Sequence, residues 1–381
     1  MTDGSYCDRC FVTLVLPEKI PATGHTFTYT KIDGQSHSIG CASCDYAETA
    51  HHCYTDGFCV CGEEEVKEPI LVPGFTLSHS LNLASDISVN FVVPKTYLNG
   101  FDMSTVYVES LIDVYDGNTL VGTRTVRMEA VDNGYTYYFT LNGLTAVQMN
   151  DRIRSVIYGT KDGQLYYSPV DDYSIADYAY SQLGKSNITE SLRTLCADLL
   201  RYGAKAQIYK NYRTDAPADG AMTEVQKTYL SNMDAVTFGN VNEDLKDLEN
   251  APVVWAGKTL NLESKVCLKF VFRTTAYTGA LSDLSLRVSY EDRNGETKTV
   301  TIAEAEAYNQ SAQLYSFTVD SMLAAELRSV VYAQIYAGQT PVSSTLRYSP
   351  DAYGNNKTGT LLELCKALFA YSDSAKQYFM S

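Results

Sequence analysis

The sequence predicts a mainly β protein with helices (α+β), in which two tandem β-sandwich-like domains, each closed by a C-terminal helix, follow a small cysteine-rich segment. Three observations predict this: seven of the ten cysteines precede Gly62, a pattern of short strands occurs twice, and each copy ends in helical periodicity. The expected boundaries are residues 1–65 for the cysteine-rich segment, 66–73 for a linker, 74–215 for the first copy, 216–252 for a connecting helix and hinge, and 253–381 for the second copy.

The cysteine-rich segment is too poor in large apolar residues to build a core, so a metal or disulfides must stabilise it. Two closely spaced cysteine pairs predict a zinc-ribbon-like site, in which four thiolates hold a structural zinc ion: Cys41, Cys44, Cys59 and Cys61. Disulfides are the alternative. The second pair is one residue shorter than the usual C-x-x-C, which leaves Cys53 or His52 as substitute ligands. We expect the other histidines of this segment to be exposed or locally hydrogen-bonded.

A further knuckle is expected at the start of the chain. The stretch Thr2-Asp3-Gly4-Ser5-Tyr6-Cys7 is similar to Thr55-Asp56-Gly57-Phe58-Cys59, so Cys7 and Cys10 predict a second half-site. Its first knuckle would then precede Met1, and the chain would be the C-terminal part of a longer array. The alternative is a small disulfide loop between Cys7 and Cys10.

The duplication extends over both strands and helices. Leu81-Asn82-Leu83 recurs as Leu260-Asn261-Leu262, and Tyr167-Ser168-Pro169 recurs as Tyr348-Ser349-Pro350. Apolar residues follow helical spacing in 191–212 and again from residue 361. An additional helix is expected over 171–183 in the first copy alone, a connecting helix over 221–235, and a polar hinge over 240–252.

Composition excludes several classes of protein. The formal charge of -15 without any local cluster of basic residues opposes nucleic-acid binding. No apolar run approaches the roughly 20 residues that span a bilayer, so no transmembrane segment is expected.

Catalytic chemistry has little support in the sequence. His79 is the only histidine beyond the first sixty residues, which argues against Ser or Cys hydrolase triads. The carboxylate pairs Asp171-Asp172 and Glu291-Asp292 stand beside turn residues, where acidic side chains are ordinary. Cys196 and Cys365 occupy equivalent apolar positions and are expected to be buried thiols. We therefore expect no catalytic residues and a protein that is not an enzyme.

Tyrosine is the commonest aromatic residue, with 30 copies, and tyrosines cluster around the additional helix of the first copy. Aromatic faces stack on sugar rings while phenol groups form hydrogen bonds, so these residues are the candidate ligand-binding side chains: Tyr166, Tyr167, Tyr173, Tyr178 and Tyr180. The alternative is that they pack the helix onto the sheets.

Residues 1 to about 65, with Ile20-Pro21-Ala22-Thr23-Gly24-His25, the two cysteine pairs and Thr55-Asp56-Gly57, resemble the short cysteine-knuckle repeats of large surface proteins from anaerobic Gram-positive bacteria. The duplicated region, with its closing L-x-x-Y-x-x-x-A-x-x-Y helix, resembles a domain that accompanies those repeats. The resemblance implies an extracellular or cell-surface location and an assisting role beside other modules, with no defined catalytic residues.

These observations predict a non-catalytic extracellular or cell-surface binding or adhesion protein, a fragment of a larger modular protein. Carbohydrate is the expected ligand class, presented by a glycan, the cell wall or a host surface. The alternatives are an architectural spacer and an accessory module of a larger glycoside hydrolase or peptidase.

Overall fold

A computed structural model describes residues 5–6, 13–15, 24–65, 67–82, 87–262, 266–274, 276–309 and 312–380, the first two stretches as backbone only. The chain divides into two compact units, Met1–Glu68 and Pro69–Ser381. The protein is mainly β, with several sheets and a long C-terminal helix, which confirms the coarse fold class. Both copies of the duplicated region belong to the second unit, instead of forming two separate bodies.

The first unit consists of small antiparallel sheets. Its strands are β1 (Ser5–Tyr6), β2 (Thr13–Val15), β3 (Phe27–Lys31), β4 (Ser36–Cys41), β5 (Ala47–His51), β6 (Tyr54–Thr55) and β7 (Phe58–Cys59). Strand β1 pairs with β2, β4 lies between β3 and β5, and β6 pairs with β7. The β6–β7 turn has positive φ at both Asp56 (53°) and Gly57 (83°), as a tight Asp-Gly hairpin turn requires.

The first copy contains two sheets. A four-stranded sheet has the order β13-β14-β10-β9 and a larger sheet the order β12-β11-β15-β16-β8, with β17 pairing beside β15. The strands are β8 (Ile70–Leu71), β9 (Ser78–Asn82), β10 (Ser88–Pro94), β11 (Asp102–Asp116), β12 (Thr119–Glu129), β13 (Val131–Asp132), β14 (Thr136–Leu141), β15 (Ile153–Lys161), β16 (Gln164–Tyr167) and β17 (Asp171–Tyr173).

The second copy repeats this arrangement. Its sheets have the orders β23-β24-β20-β19 and β18-β27-β25-β21-β22, with β26 pairing beside β25. The strands are β18 (Asn242–Asp244), β19 (Val254–Asn261), β20 (Cys267–Arg273), β21 (Leu284–Glu291), β22 (Thr297–Ile302), β23 (Glu306–Asn309), β24 (Leu314–Val319), β25 (Val331–Ala337), β26 (Thr340–Pro341) and β27 (Leu346–Tyr348). The four-stranded sheets match strand for strand, but the larger sheets do not match throughout. Tyr167 pairs with Tyr158 in the middle of β15, whereas Tyr348 pairs with Val331 at the start of β25, the place that Tyr173 holds opposite Ile153. Tyr348 is therefore the counterpart of Tyr173, and the predicted match of Tyr167-Ser168-Pro169 with Tyr348-Ser349-Pro350 was wrong.

Four α-helices complete the described structure: α1 (Ile175–Leu183), α2 (Glu190–Lys210), α3 (Glu224–Lys227) and α4 (Gly359–Met380). The closing helices α2 and α4 lie where the apolar periodicity predicts them. Thr189 caps α2 by accepting a hydrogen bond from the Leu192 N–H at 3.2 Å, and Asn211 ends it in the left-handed conformation.

Three predicted connecting elements were wrong in extent. The additional helix begins at Ile175, because residues 171–173 pair with β15 and Ser174 caps the helix. The predicted connecting helix is reduced to α3 and a short 3₁₀ turn over 233–235. The predicted hinge contains β18, whose backbone pairs with β27. In each case pairing with a distant segment decides the local conformation.

The two copies share one apolar core, and the closing helices pack against each other inside it. Tyr202 on α2 stacks on Tyr371 on α4, its equivalent in the second copy, with ring centroids 5.7 Å apart and an angle of 8° between the rings. Lys205, later on α2, forms an ion pair with Glu363, earlier on α4, at 3.2 Å. The helices therefore run antiparallel, and the contact between equivalent tyrosines indicates an approximate two-fold relation between the copies.

Candidate metal centres

Two groups of histidine and cysteine side chains converge in the first unit. The first group, called the four-ligand cluster, consists of His37, His52, Cys59 and Cys61. The second group, called the three-ligand cluster, consists of His25, Cys41 and Cys44. Within each cluster the ligand atoms lie within 4.8 Å of one another.

The four-ligand cluster is assembled at one end of the β3–β5 sheet. His37 lies at the start of β4, His52 directly follows β5, and Cys59 ends β7. The backbone then turns sharply: the Gly62 N–H donates to the Cys59 carbonyl at 2.8 Å, and Gly62 has φ of 86°. This turn, which glycine permits, places Cys61 beside Cys59.

The distances in this cluster match those of a zinc tetrahedron. The Cys59 Sγ lies 3.5 Å from the His37 Nδ1, and the Cys61 Sγ lies 3.4 Å from the His52 Nδ1. A tetrahedron with ordinary Zn–S and Zn–N bond lengths has a sulfur–nitrogen edge of about 3.6 Å. His37 and Cys59 are buried and the other two ligands are half-buried, so the site is largely closed to solvent.

An outer hydrogen bond orients His52 for metal binding. Its Nε2 lies 2.9 Å from the Asp33 backbone carbonyl and donates to it, which leaves the Nδ1 lone pair directed at the cluster. The Asp33 carboxylate in turn accepts hydrogen bonds from the Gln35 and Ser36 N–H groups, each at 2.8 Å, and fixes the β3–β4 turn. The bond to Asp33 raises the pKa of His52.

The three-ligand cluster lies at the opposite end of the same sheet. The His25 Nδ1 is 3.4 Å from both the Cys41 Sγ and the Cys44 Sγ. The Ser43 N–H donates to the Cys41 Sγ at 3.4 Å, and this bond, followed by the contact with His25, lowers the pKa of Cys41 to about 6. Cys41 is therefore a thiolate at neutral pH, which is the form that binds metal.

Cys59 of the four-ligand cluster has the same acidity. Burial acts to raise its pKa, but the hydrogen bond from the Cys61 N–H and the contact with His52 outweigh burial and lower the pKa to about 6. In the folded geometry each cluster therefore contains a cysteine that is ionised at pH 7.

The structure does not bring the four predicted cysteines together. Cys41 joins Cys44 in one cluster, and Cys59 joins Cys61 in the other. The reason is the strand between them: His37 and Cys41 are four residues apart on β4, a separation of about 13 Å. Cys7 and Cys10 lie outside the described residues.

Sequence reasoning missed His25 and His37, and it treated His52 only as a substitute ligand. One signal was available: His37 and Cys41 lie on the same face of a strand, at its two ends, which suits two separate sites. By contrast, the His51 Nδ1 lies 3.3 Å from the Gln35 carbonyl, and neither His51 nor Cys53 belongs to either cluster.

The predicted tyrosine site is mostly packing. Tyr173 is only 3% exposed and its ring contacts His79, with centroids 3.7 Å apart. The Tyr180 hydroxyl donates to the Ala218 carbonyl at 2.8 Å and accepts from the Ala221 N–H at 3.1 Å. Burial raises the pKa of Tyr173, Tyr178 and Tyr180.

The remaining two predicted tyrosines lie on β16 and contact neighbouring rings. Tyr166 packs edge-on against Phe101, with centroids 5.7 Å apart, and Tyr167 stacks on Tyr158 at 6.2 Å. Both are half-buried. The five tyrosines do not form one exposed aromatic platform.

The carboxylate pairs are held by local contacts. Asp171 pairs with His79 at 3.1 Å and Asp172 with Arg152 at 2.8 Å. Asp292 accepts hydrogen bonds from the Asn294 and Glu296 N–H groups and so stabilises a turn. These contacts give the acidic pairs structural partners.

Comparison with known proteins gave no matching family model and no matching curated protein. No helix among the described residues is both long enough and apolar enough to cross a membrane. Function is therefore inferred from the geometry of the two clusters and of the duplicated unit.

Proposed function

We propose that residues 24–65 form a zinc-binding structural module. The observation that carries the proposal is the four-ligand cluster, whose Sγ–Nδ1 distances of 3.4 and 3.5 Å match the edges of a zinc tetrahedron. Four protein ligands leave no position open for substrate, as in structural zinc sites. The outer strands β3 and β5 expose nearly all of their side chains, so metal binding supplies stability that a core cannot.

The three-ligand cluster is a second, weaker centre in this proposal. Two thiolates and one imidazole fit zinc, and the fourth position would be taken by water or by another side chain. His25 and Cys44 are exposed, so this centre exchanges its metal more readily than the four-ligand cluster.

For the whole chain we propose a non-catalytic, extracellular or cell-surface modular protein in which the zinc module is followed by a rigid duplicated unit. The paired sheets and closing helix of each copy support two β-sandwich-like halves. The burial of Tyr173 and the internal hydrogen bonds of Tyr180 favour an architectural role for the first copy over glycan binding at its tyrosines.

Metal stoichiometry tests the zinc proposal. Full-length protein purified under reducing conditions is analysed for zinc by mass spectrometry of the element, and cobalt substitution reports thiolate ligation by absorbance. We expect His52→Ala and Cys41→Ser each to lose one zinc ion per chain relative to the parent. Cys53→Ser is the matched control, because Cys53 lies in the same segment but outside both clusters, and it should retain the parent stoichiometry.

The disulfide alternative gives opposite results in the same preparation. A zinc module loses its structure when a chelator is added and tolerates reductant, whereas a disulfide module tolerates the chelator and is sensitive to reductant. Zinc content that is equal in His52→Ala and the parent would refute the four-ligand centre.

A further inference from the structure

The two copies differ at the end of each closing helix. In the first copy α1 packs beside β9, and Tyr178 on α1 lies near Tyr378 at the end of α4. In the second copy a short 3₁₀ helix, Pro350–Gly354, takes the place of α1 beside β19. Tyr209 on α2 is the equivalent of Tyr378. Because the 3₁₀ helix is shorter than α1, Tyr209 faces an open space instead of a helix.

This space is a cavity of about 260 Å³ at the junction of the two copies. Three tyrosines from three separate segments line it: Tyr209 from α2, Tyr308 from β23 and Tyr353 from the 3₁₀ helix. Polar side chains come from the adjoining strands, with Thr259 and Asn261 on β19 and Lys269 on β20. Tyrosine rings beside hydroxyl, amide and ammonium groups suit a polar ligand that contains a ring, and this volume is just below the usual range of roughly 300 to 1,000 Å³ for ligand sites.

The cavity is also locally basic in an acidic protein. Each of its three tyrosine rings has a lysine ammonium nearby, at 5.6, 5.9 and 4.1 Å from the ring centroid, in the pairs Tyr209–Lys210, Tyr308–Lys269 and Tyr353–Lys357. The Glu306 carboxylate, 64% exposed, lies 3.9 Å from the Lys269 Nζ and opposes this positive charge. Lys269 lines the cavity, and Lys210 and Lys357 lie beside two of its tyrosines. Because the chain carries a net charge of -15, this local positive charge is an exception that favours an anionic ligand.

We propose that this cavity binds an acidic carbohydrate, a sugar ring carrying a carboxylate such as a uronic or sialic acid. The tyrosine rings offer faces for the sugar, the Thr259 hydroxyl, which donates to the Leu260 carbonyl, can accept a hydrogen bond from a sugar hydroxyl, and Lys269 attracts the carboxylate. The site is formed by both copies, since Tyr209 belongs to the first and the remaining lining residues to the second. It is independent of the zinc module.

Binding by the full-length protein tests this proposal. Calorimetric titrations use two acidic probes, sialyllactose and a hyaluronan tetrasaccharide, and two neutral probes, lactose and cellotetraose. We expect an acidic probe to bind, and Tyr308→Ala to weaken that binding by about tenfold or more through loss of an aromatic wall. Lys269→Gln should weaken the acidic probe selectively, and added salt should have the same effect.

Tyr135→Ala is the matched control, because Tyr135 is a 92% exposed tyrosine of the first copy that does not line the cavity. Tyr308 is itself 53% exposed, so both variants should fold, and unchanged thermal unfolding verifies this. The proposal is overturned if no acidic probe binds, if neutral probes bind as tightly as acidic ones, or if Tyr308→Ala binds like Tyr135→Ala.

Discussion

The thiols of this chain occupy two opposite chemical environments. Cys196 and Cys365 are fully buried on the closing helices, and burial raises their pKa to about 12 and about 11. Hydrogen bonds lower the pKa of Cys41 and Cys59 to about 6. At pH 7.5 the first two are protonated and the last two are thiolates, so their reactivities should differ by orders of magnitude.

Alkylation after zinc removal checks this difference, because the chelator frees Cys41 and Cys59 while residues 69–381 stay folded around Cys196 and Cys365. We expect iodoacetamide to modify Cys41 and Cys59 at pH 7.5 and to leave Cys196 and Cys365 intact, as read by peptide mass spectrometry. Equal labelling of all four in the native state would contradict the assignment, and equal labelling in urea serves as the control.

At this scale the sequence selected the cysteines that lie in the two clusters, but not how the clusters are composed. Spacing along the chain predicts that Cys41 meets Cys44 and that Cys59 meets Cys61. It does not show which histidine completes each pair, because His37 is 22 residues from Cys59 and reaches it only through the fold. The buried thiols, in contrast, follow from apolar periodicity alone.

Among the secondary-structure elements, α2 is fixed to the following segment by a buried charge. Asp198 is fully buried and accepts hydrogen bonds from Arg201 at 2.6 Å and from the Ser231 N–H and hydroxyl at 3.1 and 2.5 Å. Arg201 also donates to the Ser231 carbonyl at 2.7 Å. These bonds fix Ser231 against α2.

Removing the carboxylate should therefore be costly. Asp198→Ala leaves Arg201 buried without its counter-charge, and we expect the free energy of unfolding to fall by about 3 to 5 kcal/mol. The matched control is Glu224→Ala, which breaks an ion pair of the same i,i+3 spacing whose glutamate is 89% exposed, and which should cost less than about 1 kcal/mol. Urea denaturation measures both, and similar losses in the two variants would contradict a special role for Asp198.

The same contacts explain why the connecting helix was predicted too long. Residues 221–235 have helical propensity, and Thr223 begins a helix with a capping box. The hydrogen bonds from Ser231 to Asp198 hold the chain in a non-helical conformation at residue 231. The sequence pattern alone does not reveal this partner, which is 33 residues away. The closing helices were predictable because their own apolar faces determine them.

In the molecule as a whole, the sequence repeat predicts two copies but not their fusion. Each closing helix has an apolar face wide enough to pack against the sheets of its own copy. This pattern predicts two separate domains. The stacking of Tyr202 on Tyr371 shows that the closing helices also pack against each other, across the two copies. Fusion of the copies requires that α2 and α4, which are distant in sequence, have complementary surfaces. The apolar periodicity of each helix alone does not predict that complementarity.

Fusion makes a prediction about unfolding. Because α2 and α4 share one core, residues 69–381 should unfold in a single cooperative transition, whereas the zinc module should unfold in a separate one. Calorimetry of the full-length protein with and without a chelator measures this: we expect the chelator to abolish the smaller transition and to leave the larger one unchanged. Tyr202→Ala opens a cavity between the copies, so it should lower the temperature of the larger transition alone. Two separate transitions within residues 69–381 would show instead that the copies fold independently.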